Sequence, residues 1–135
     1  MANETQVTIA GNLTADPELR FTPSGAAVTN FNVASTPRVY NSTSNQWEDG
    51  PTMFLRCNVW NAMAENVAES LSKGSRVVVL GTLRMTEWKT KEGDKRTSFE
   101  LTVDEVGASM KFSTLKLIKV DRSVPESPKA ARAKR

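Results

Sequence analysis

The segment Met53 to Trp60, MFLRCNVW, constrains the fold more than any other stretch of the chain, because every second residue belongs to a different kind of surface. In an extended strand, successive side chains point to opposite faces. Met53, Leu55, Cys57 and Val59 therefore form one apolar face, the expected core side. Phe54, Arg56, Asn58 and Trp60 form the other, where two rings bracket a guanidinium and an amide. Such a segment is a strand with one buried side and one platform.

Similar patterns fall on either side of it. Val7, Ile9 and Leu13 alternate with polar or small residues, which predicts a first strand, followed by turn residues at Asp16-Pro17 and Pro23-Ser24-Gly25. Ala26 to Ser35 reads as a second strand ending before Pro37. Thr36 to Pro51 is so rich in Asn, Ser and Thr that it is expected to be a solvated, mobile loop, although it carries Arg38, Tyr40 and Trp47. Asn61 is the expected N-cap of a helix over Ala62 to Lys73, with Met63, Val67 and Leu71 every four residues and Gly74 at its C-terminal end. Arg76 to Trp88 and Lys95 to Val106 read as two strands joined by the turn-rich Lys89 to Asp94. Phe112 to Val120 alternates once more, and the basic end KAARAKR is expected to be disordered.

Three strands, a helix and two strands is the order of a five-stranded OB barrel, all-β with one helix, to which 111–121 adds an extra C-terminal strand. An open antiparallel α+β sheet is the alternative. At 135 residues the chain holds one core: a domain over 1–110, the added strand at 111–121 and a short tail at 122–135.

The residue inventory excludes most catalytic chemistry. The chain has no His and one Cys, Cys57, which removes the commonest general base and any CxxC metal site. Ser70-Leu71-Ser72-Lys73 matches a Ser-x-x-Lys spacing but lacks the companion motifs that would support it. The carboxylate pairs Asp16 with Glu18 and Asp104 with Glu105 read as solvated surface. No catalytic residues, metal or cofactor are expected. No apolar run is long enough to span a membrane and MANETQ has no signal-peptide character, so a cytoplasmic location without membrane partners is expected.

Charge points to a local rather than a global binding surface. Net charge is +3, yet residues 1–120 hold 13 basic and 13 acidic side chains, so the folded part has no uniform basic field. Nucleic-acid binding would need grouped cations beside stacking rings. Trp60 shares its face with Arg56; Trp88 shares parity with Arg84 and precedes Lys89 and Lys91, with Lys95 and Arg96 on the returning strand. Phe54 and Trp60 are expected to be exposed by parity, whereas for Trp88 core packing and exposure remain equally open. Phe21, Phe31, Phe99 and Phe112 are expected in the core. Tyr40 and Trp47 either pin their loop to the barrel or, beside Arg38, bind. A competing function is an OB-fold protein-interaction or assembly module, with RNA binding as a nearer variant.

Over about residues 1 to 110 the sequence resembles the bacterial single-stranded DNA-binding proteins. The resemblance is carried by VTIAGNL at Val7 to Leu13, Asp16-Pro17-Glu18-Leu19-Arg20-Phe21, FLRCNVW at Phe54 to Trp60, Glu65-Asn66-Val67-Ala68, Lys73-Gly74-Ser75 and Gly81-Thr82-Leu83-Arg84 leading to Trp88. It implies an OB-fold homotetramer that binds single-stranded DNA without sequence preference in replication, recombination or repair, in the cytoplasm on the nucleoid. By position it implies base stacking by Phe54, Trp60 and Trp88, an aromatic role for Tyr40, and phosphate contacts by Arg56 and Arg84. Ser35 to Tyr40 and Phe112 to Val120 look like the actinobacterial branch, where an added strand clamps subunits; a simple extension folded on its own barrel is the alternative.

The departures matter as much. The family usually ends in an acidic tip that recruits other enzymes; this sequence ends in Lys129 to Arg135, so such recruitment is not expected and a short, specialised paralogue is. Its basic tail either touches DNA phosphates or only aids solubility. Phe54 stands where the family often has Trp, and Thr86 and Glu87 where well-known members are basic, which is expected to soften DNA affinity and flatten its salt dependence. Cys57 shares the Leu55 face near where the family packs its subunits, so an intersubunit disulfide is an expectation to weigh against an ordinary buried thiol.

Overall fold

The fold is seen in a computed structural model, which describes residues 3–120. Its order is β1 (Thr5–Leu13), β2 (Glu18–Phe21), β3 (Ala27–Ser35), β4 (Arg38–Asn41), β5 (Gln46–Asp49), β6 (Met53–Trp60), α1 (Asn61–Ser70), β7 (Arg76–Lys89) and β8 (Lys95–Ala108). The Val-rich and alternating stretches supply the long strands, because β-branched side chains suit a half-buried pleat.

Hydrogen-bonded pairing runs β1–β7–β8–β6–β3 and returns from β3 to β1 through Asn12↔Ala34 and Leu13↔Val33. That ring is a five-stranded barrel. β6 and β8 are its parallel pair, with Arg56↔Glu100, Cys57↔Leu101 and Asn58↔Thr102, and the other pairings are antiparallel. The ladder order and its single parallel pair are those of an OB barrel. Between Leu80 and Gly81 the β7–β8 register shifts, leaving Asp104 without an opposite residue. Such a bulge bends the sheet, which closing a small barrel requires.

Inward residues from each strand fill the barrel: Ile9 and Leu13, Phe31 and Val33, Leu55 with Cys57 and Val59, Val77 with Val79, and Leu101 with Val103. Ala64 and Val67 of α1 close one end, and Met63 and Leu71 pack partly against the same core. Two glycines lie where neighbouring backbone leaves no room for a Cβ: one on Gly11 would strike the Ala34 carbonyl and one on Gly81 the Thr102 carbonyl.

Several expectations are corrected. The helix ends at Ser70, short of Lys73, and no side chain caps it at Trp60; Asn61 itself has φ 63°. Gly74 is not the helix C′ residue but sits in the Ser72–Ser75 turn at φ 89°, tied to β1 by its N–H donating to the Leu13 carbonyl at 2.9 Å. Asp16 is exposed, as read, and also accepts from the Lys73 backbone N–H at 2.8 Å, joining that turn to the end of β1. The expected loop at 36–51 is instead a two-stranded hairpin, β4–β5, with Tyr40 opposite Trp47. Residues 18–21, read as part of a loop, form β2 on the edge of β3.

Of the four rings expected inside, only Phe31 is buried; Phe21, Phe99 and Phe112 are exposed. Phe112 lies beyond β8 with the Arg76 guanidinium 5.7 Å and the Lys111 ammonium 5.6 Å from its centroid. The extra strand expected at 111–121 does not pair with the barrel among the described residues, and Leu117 is 91% exposed. The basic tail at 122–135 lies outside the described residues.

Candidate nucleic-acid interface

The platform is a consequence of register. On β6, Leu55, Cys57 and Val59 point into the barrel, which turns Phe54, Arg56, Asn58 and Trp60 outward; Met53, expected on the core face, lies at the barrel rim and is exposed. Phe54 is 66% and Trp60 42% exposed. β3 sets Ala34, Asn32, Asn30 and Val28 opposite those four residues, and β8 sets Glu100 beside Arg56. Glu100 in turn faces Arg84 on β7. One cross-strand row therefore reads Asn32, Arg56, Glu100, Arg84.

Aromatic rings flank that row on both sides. Trp60 lies four residues along β6 from Arg56, a span of about 13 Å at a strand's rise. Because β6 and β8 are parallel while β7 and β8 are antiparallel, the four residues from Arg84 to Trp88 run the opposite way. Trp88, about half exposed and facing Arg96, and Phe54 thus lie on the other side of the row. The question left open for Trp88 resolves as exposure, because β7 and β8 continue past the barrel as a free hairpin. Lys89 ends β7 opposite Lys95 and Lys91 lies in the turn, both exposed.

The β4–β5 hairpin leaves the barrel between Ser35 and Met53, the end from which the β7–β8 hairpin also projects. Its stem is closed by the Thr36 and Thr52 hydroxyls at 2.7 Å. Tyr40 and Trp47 pack against each other with centroids 5.5 Å apart and planes tilted by 59°, and both remain more than half exposed. Arg38, itself exposed, braces the hairpin beside the pair, donating to Asp49 at 2.6 Å and to the Trp47 carbonyl at 3.2 Å. These rings pin their own hairpin and still present open faces.

Polar contacts order the platform. The Trp60 indole N–H donates to Asn58 Oδ1 at 3.3 Å, and Asn58 Nδ2 donates to Glu100 Oε2 at 3.2 Å. The other Glu100 oxygen is 3.7 Å from Arg56 Nε, while Arg84 Nη2 is 3.5 Å from Glu4 Oε1. Sequence reasoning missed Glu100 and also Arg20. With β2 paired to β3, Arg20 and Trp60 flank Val28 in one row. With its amide oxygen turned toward β2, Asn30 accepts from Arg20 Nε at 3.3 Å and Nη2 at 3.1 Å. The signal available in the sequence was the alternation Glu18-Leu19-Arg20-Phe21, masked by the adjoining turn residues.

Cys57 lies in the barrel core with no exposure, and burial pushes its thiol up to about 12. Packed inside its own barrel, it has no surface in this fold on which to form the intersubunit disulfide that its position allowed for. Among the described residues, no cluster of three or more His, Cys, Asp or Glu side chains is grouped to hold a metal ion, and no helix is long and apolar enough to cross a membrane. The outer sheet surface of the barrel presents rings and guanidiniums.

The model of the single-strand binding protein family matches residues 4–109. A protein named single-stranded DNA-binding protein from Mycobacterium bovis is 58% identical over 123 residues, covering 91% of this chain and 75% of its own. Single-stranded DNA-binding protein 2 from Streptomyces coelicolor is 57% identical over 119 residues, covering 88% of this chain and 60% of its own. Among solved structures, the small single-stranded DNA-binding protein from Streptomyces coelicolor superposes with a TM-score of 0.70 at 29% identity, covering 80% of this chain and 96% of that one.

Proposed function

Because the chain belongs to the single-strand binding protein family, we propose that it binds single-stranded DNA without sequence preference and shields it during replication, recombination or repair. The observation that carries this reading is the exposed Phe54, Arg56, Asn58, Trp60 face of β6, with Trp88 beyond the guanidinium row. Unpaired bases stack on such rings whatever their identity, because every base has a π-face, and each stack contributes about 1–3 kcal/mol. Phe54, Trp60 and Trp88 are the stacking residues, and Tyr40 and Trp47 extend the track along their hairpin. Arg56, Arg84, Arg38, Lys89 and Lys91 follow the phosphates, and Arg20 joins them beside Trp60. No step of this function needs a catalyst or cofactor.

The working form in this proposal is a homotetramer in the cytoplasm, on the nucleoid. What supports assembly is apolar surface that a lone chain leaves open: Val78 and Leu80 on the outside of β7, and Leu115, Leu117 and Ile118 beyond β8. Exposed apolar side chains grouped in this way favour an interaction face. Sedimentation of the purified protein tests the tetramer. Fluorescence anisotropy of labelled oligo(dT), oligo(rU) and a duplex of equal length tests the ligand. Binding to oligo(dT) is expected to be much tighter than to duplex; equal affinity for duplex would refute the reading, and a preference for oligo(rU) would favour an RNA-binding protein.

A further inference from the structure

The carboxylate of Glu100 sits in the middle of a surface otherwise suited to anions. By register it lies between Arg56 and Arg84, and its side chain is about one-third exposed. One oxygen faces Arg56 Nε at 3.7 Å, while the other accepts from Asn58, which itself accepts from the Trp60 indole. Arg84 has a second carboxylate, Glu4, at 3.5 Å. Neither guanidinium of the row is therefore free of an acid. A phosphate that reaches Arg56 must displace, or share the cation with, an internal anion already there.

Resting on the single-stranded DNA reading, we infer that Glu100 is an affinity-limiting positioning residue: an internal counter-ion that keeps Arg56 and, through Asn58, the Trp60 indole in place, and that yields Arg56 to phosphate when DNA binds. Two consequences follow from the chemistry. The exchange of a carboxylate for a phosphate weakens each contact relative to a lone arginine, which favours release and redistribution of the strand. A cation already neutralised within the protein also releases fewer DNA counter-ions on binding, so the salt dependence is shallow. The ion pair is long and partly solvated, so the effect is modest, of the size of a surface pair.

Glu100→Gln tests the inference, since glutamine keeps an oxygen that accepts from Asn58 and loses only the charge. Oligo(dT) affinity at low salt is expected to rise by about threefold to fivefold, and the slope of log affinity against log salt to steepen by up to about 0.7 for each guanidinium freed. The tryptophan emission of the unbound variant should match wild type. Glu100→Ala removes the same charge but also the acceptor of Asn58, so its gain should be smaller than that of Glu100→Gln and be accompanied by an emission shift. In an Arg56→Gln background, Glu100→Gln should lose most of its gain, as expected for coupled partners. Unchanged or weaker binding by both Glu100 variants would overturn the inference, and so would an undiminished gain in the Arg56→Gln background. These results leave wild-type binding intact, whereas a wild-type protein that ignores oligo(dT) would instead sink the proposed function.

Discussion

The hydroxyl of Thr29 in β3 donates a 2.7 Å hydrogen bond to the backbone carbonyl of Ala64 in α1, and both residues are fully buried. A ten-residue helix is marginal alone in water, so its stability comes from docking. This bond fixes the helix over the end of the barrel from which Trp60 leads into it. Thr29→Val keeps the shape and removes the donor, and is expected to cost about 1–2 kcal/mol. The loss should appear in the urea midpoint with oligo(dT) affinity unchanged; an unaltered midpoint would show that packing alone docks the helix.

Barrel closure is expected to depend on Gly11. A methyl group there would meet the Ala34 carbonyl, whereas the same addition at Gly107 meets nothing within 4 Å. Gly11→Ala should therefore destabilise the fold by about 2 kcal/mol or more, since backbone must shift to admit it. Thermal unfolding checks this, with Gly107→Ala close to wild type as the control. Equal melting of the two variants would contradict the closure read from β1 and β3.

The Cys57 thiol gives the fold a defined alkaline weakness. Burial raises its pKa from 9.0 to about 12, so folding favours the protonated form. That contribution is complete below pH 9 and is lost as pH rises toward 12, with a slope of at most about 1.4 kcal/mol per pH unit. Urea midpoints measured from pH 8 to 11 should fall more steeply for wild type than for Cys57→Val. Non-reducing electrophoresis after mild oxidation should show no disulfide-linked dimer.

Hairpin order at 36–51 is expected to rest on the Arg38–Asp49 and Tyr40–Trp47 pairs. Asp49→Ala frees Arg38 from its carboxylate, yet an exposed ion pair contributes only about 0.2–1 kcal/mol. Global stability should barely change, while limited proteolysis within Asn41 to Gln46 accelerates. Unchanged cleavage would mean that the ring pair holds the hairpin alone.

What the sequence discloses follows from how directly period reports environment. The two faces of β6 were legible because Leu55, Cys57 and Val59 meet the core while their neighbours do not. Phe99 shares parity with Leu101, but β8 extends beyond the barrel, so the same parity leads to no core there. Phe112 and the residues after it alternate correctly for a strand, yet among the described residues they join no ladder of the barrel. The β4–β5 hairpin was hidden because Asn, Ser and Thr obscure a two-residue period, and its stability lies in cross-strand pairs that only register creates. Glu100 was invisible for the same reason: its role comes from β6 and β8 running parallel, which brings residues 44 apart in sequence side by side.

The most direct test of the account is a titration with oligo(dT) at several salt concentrations, following tryptophan fluorescence in wild type, Trp60→Phe and Trp88→Phe. Indoles that stack on unpaired bases should give saturable quenching that duplex DNA does not reproduce, and each substitution should remove part of that quenching without unfolding the barrel. Absent quenching, or equal quenching by duplex, would contradict the claim that this outer face of the barrel stacks bases.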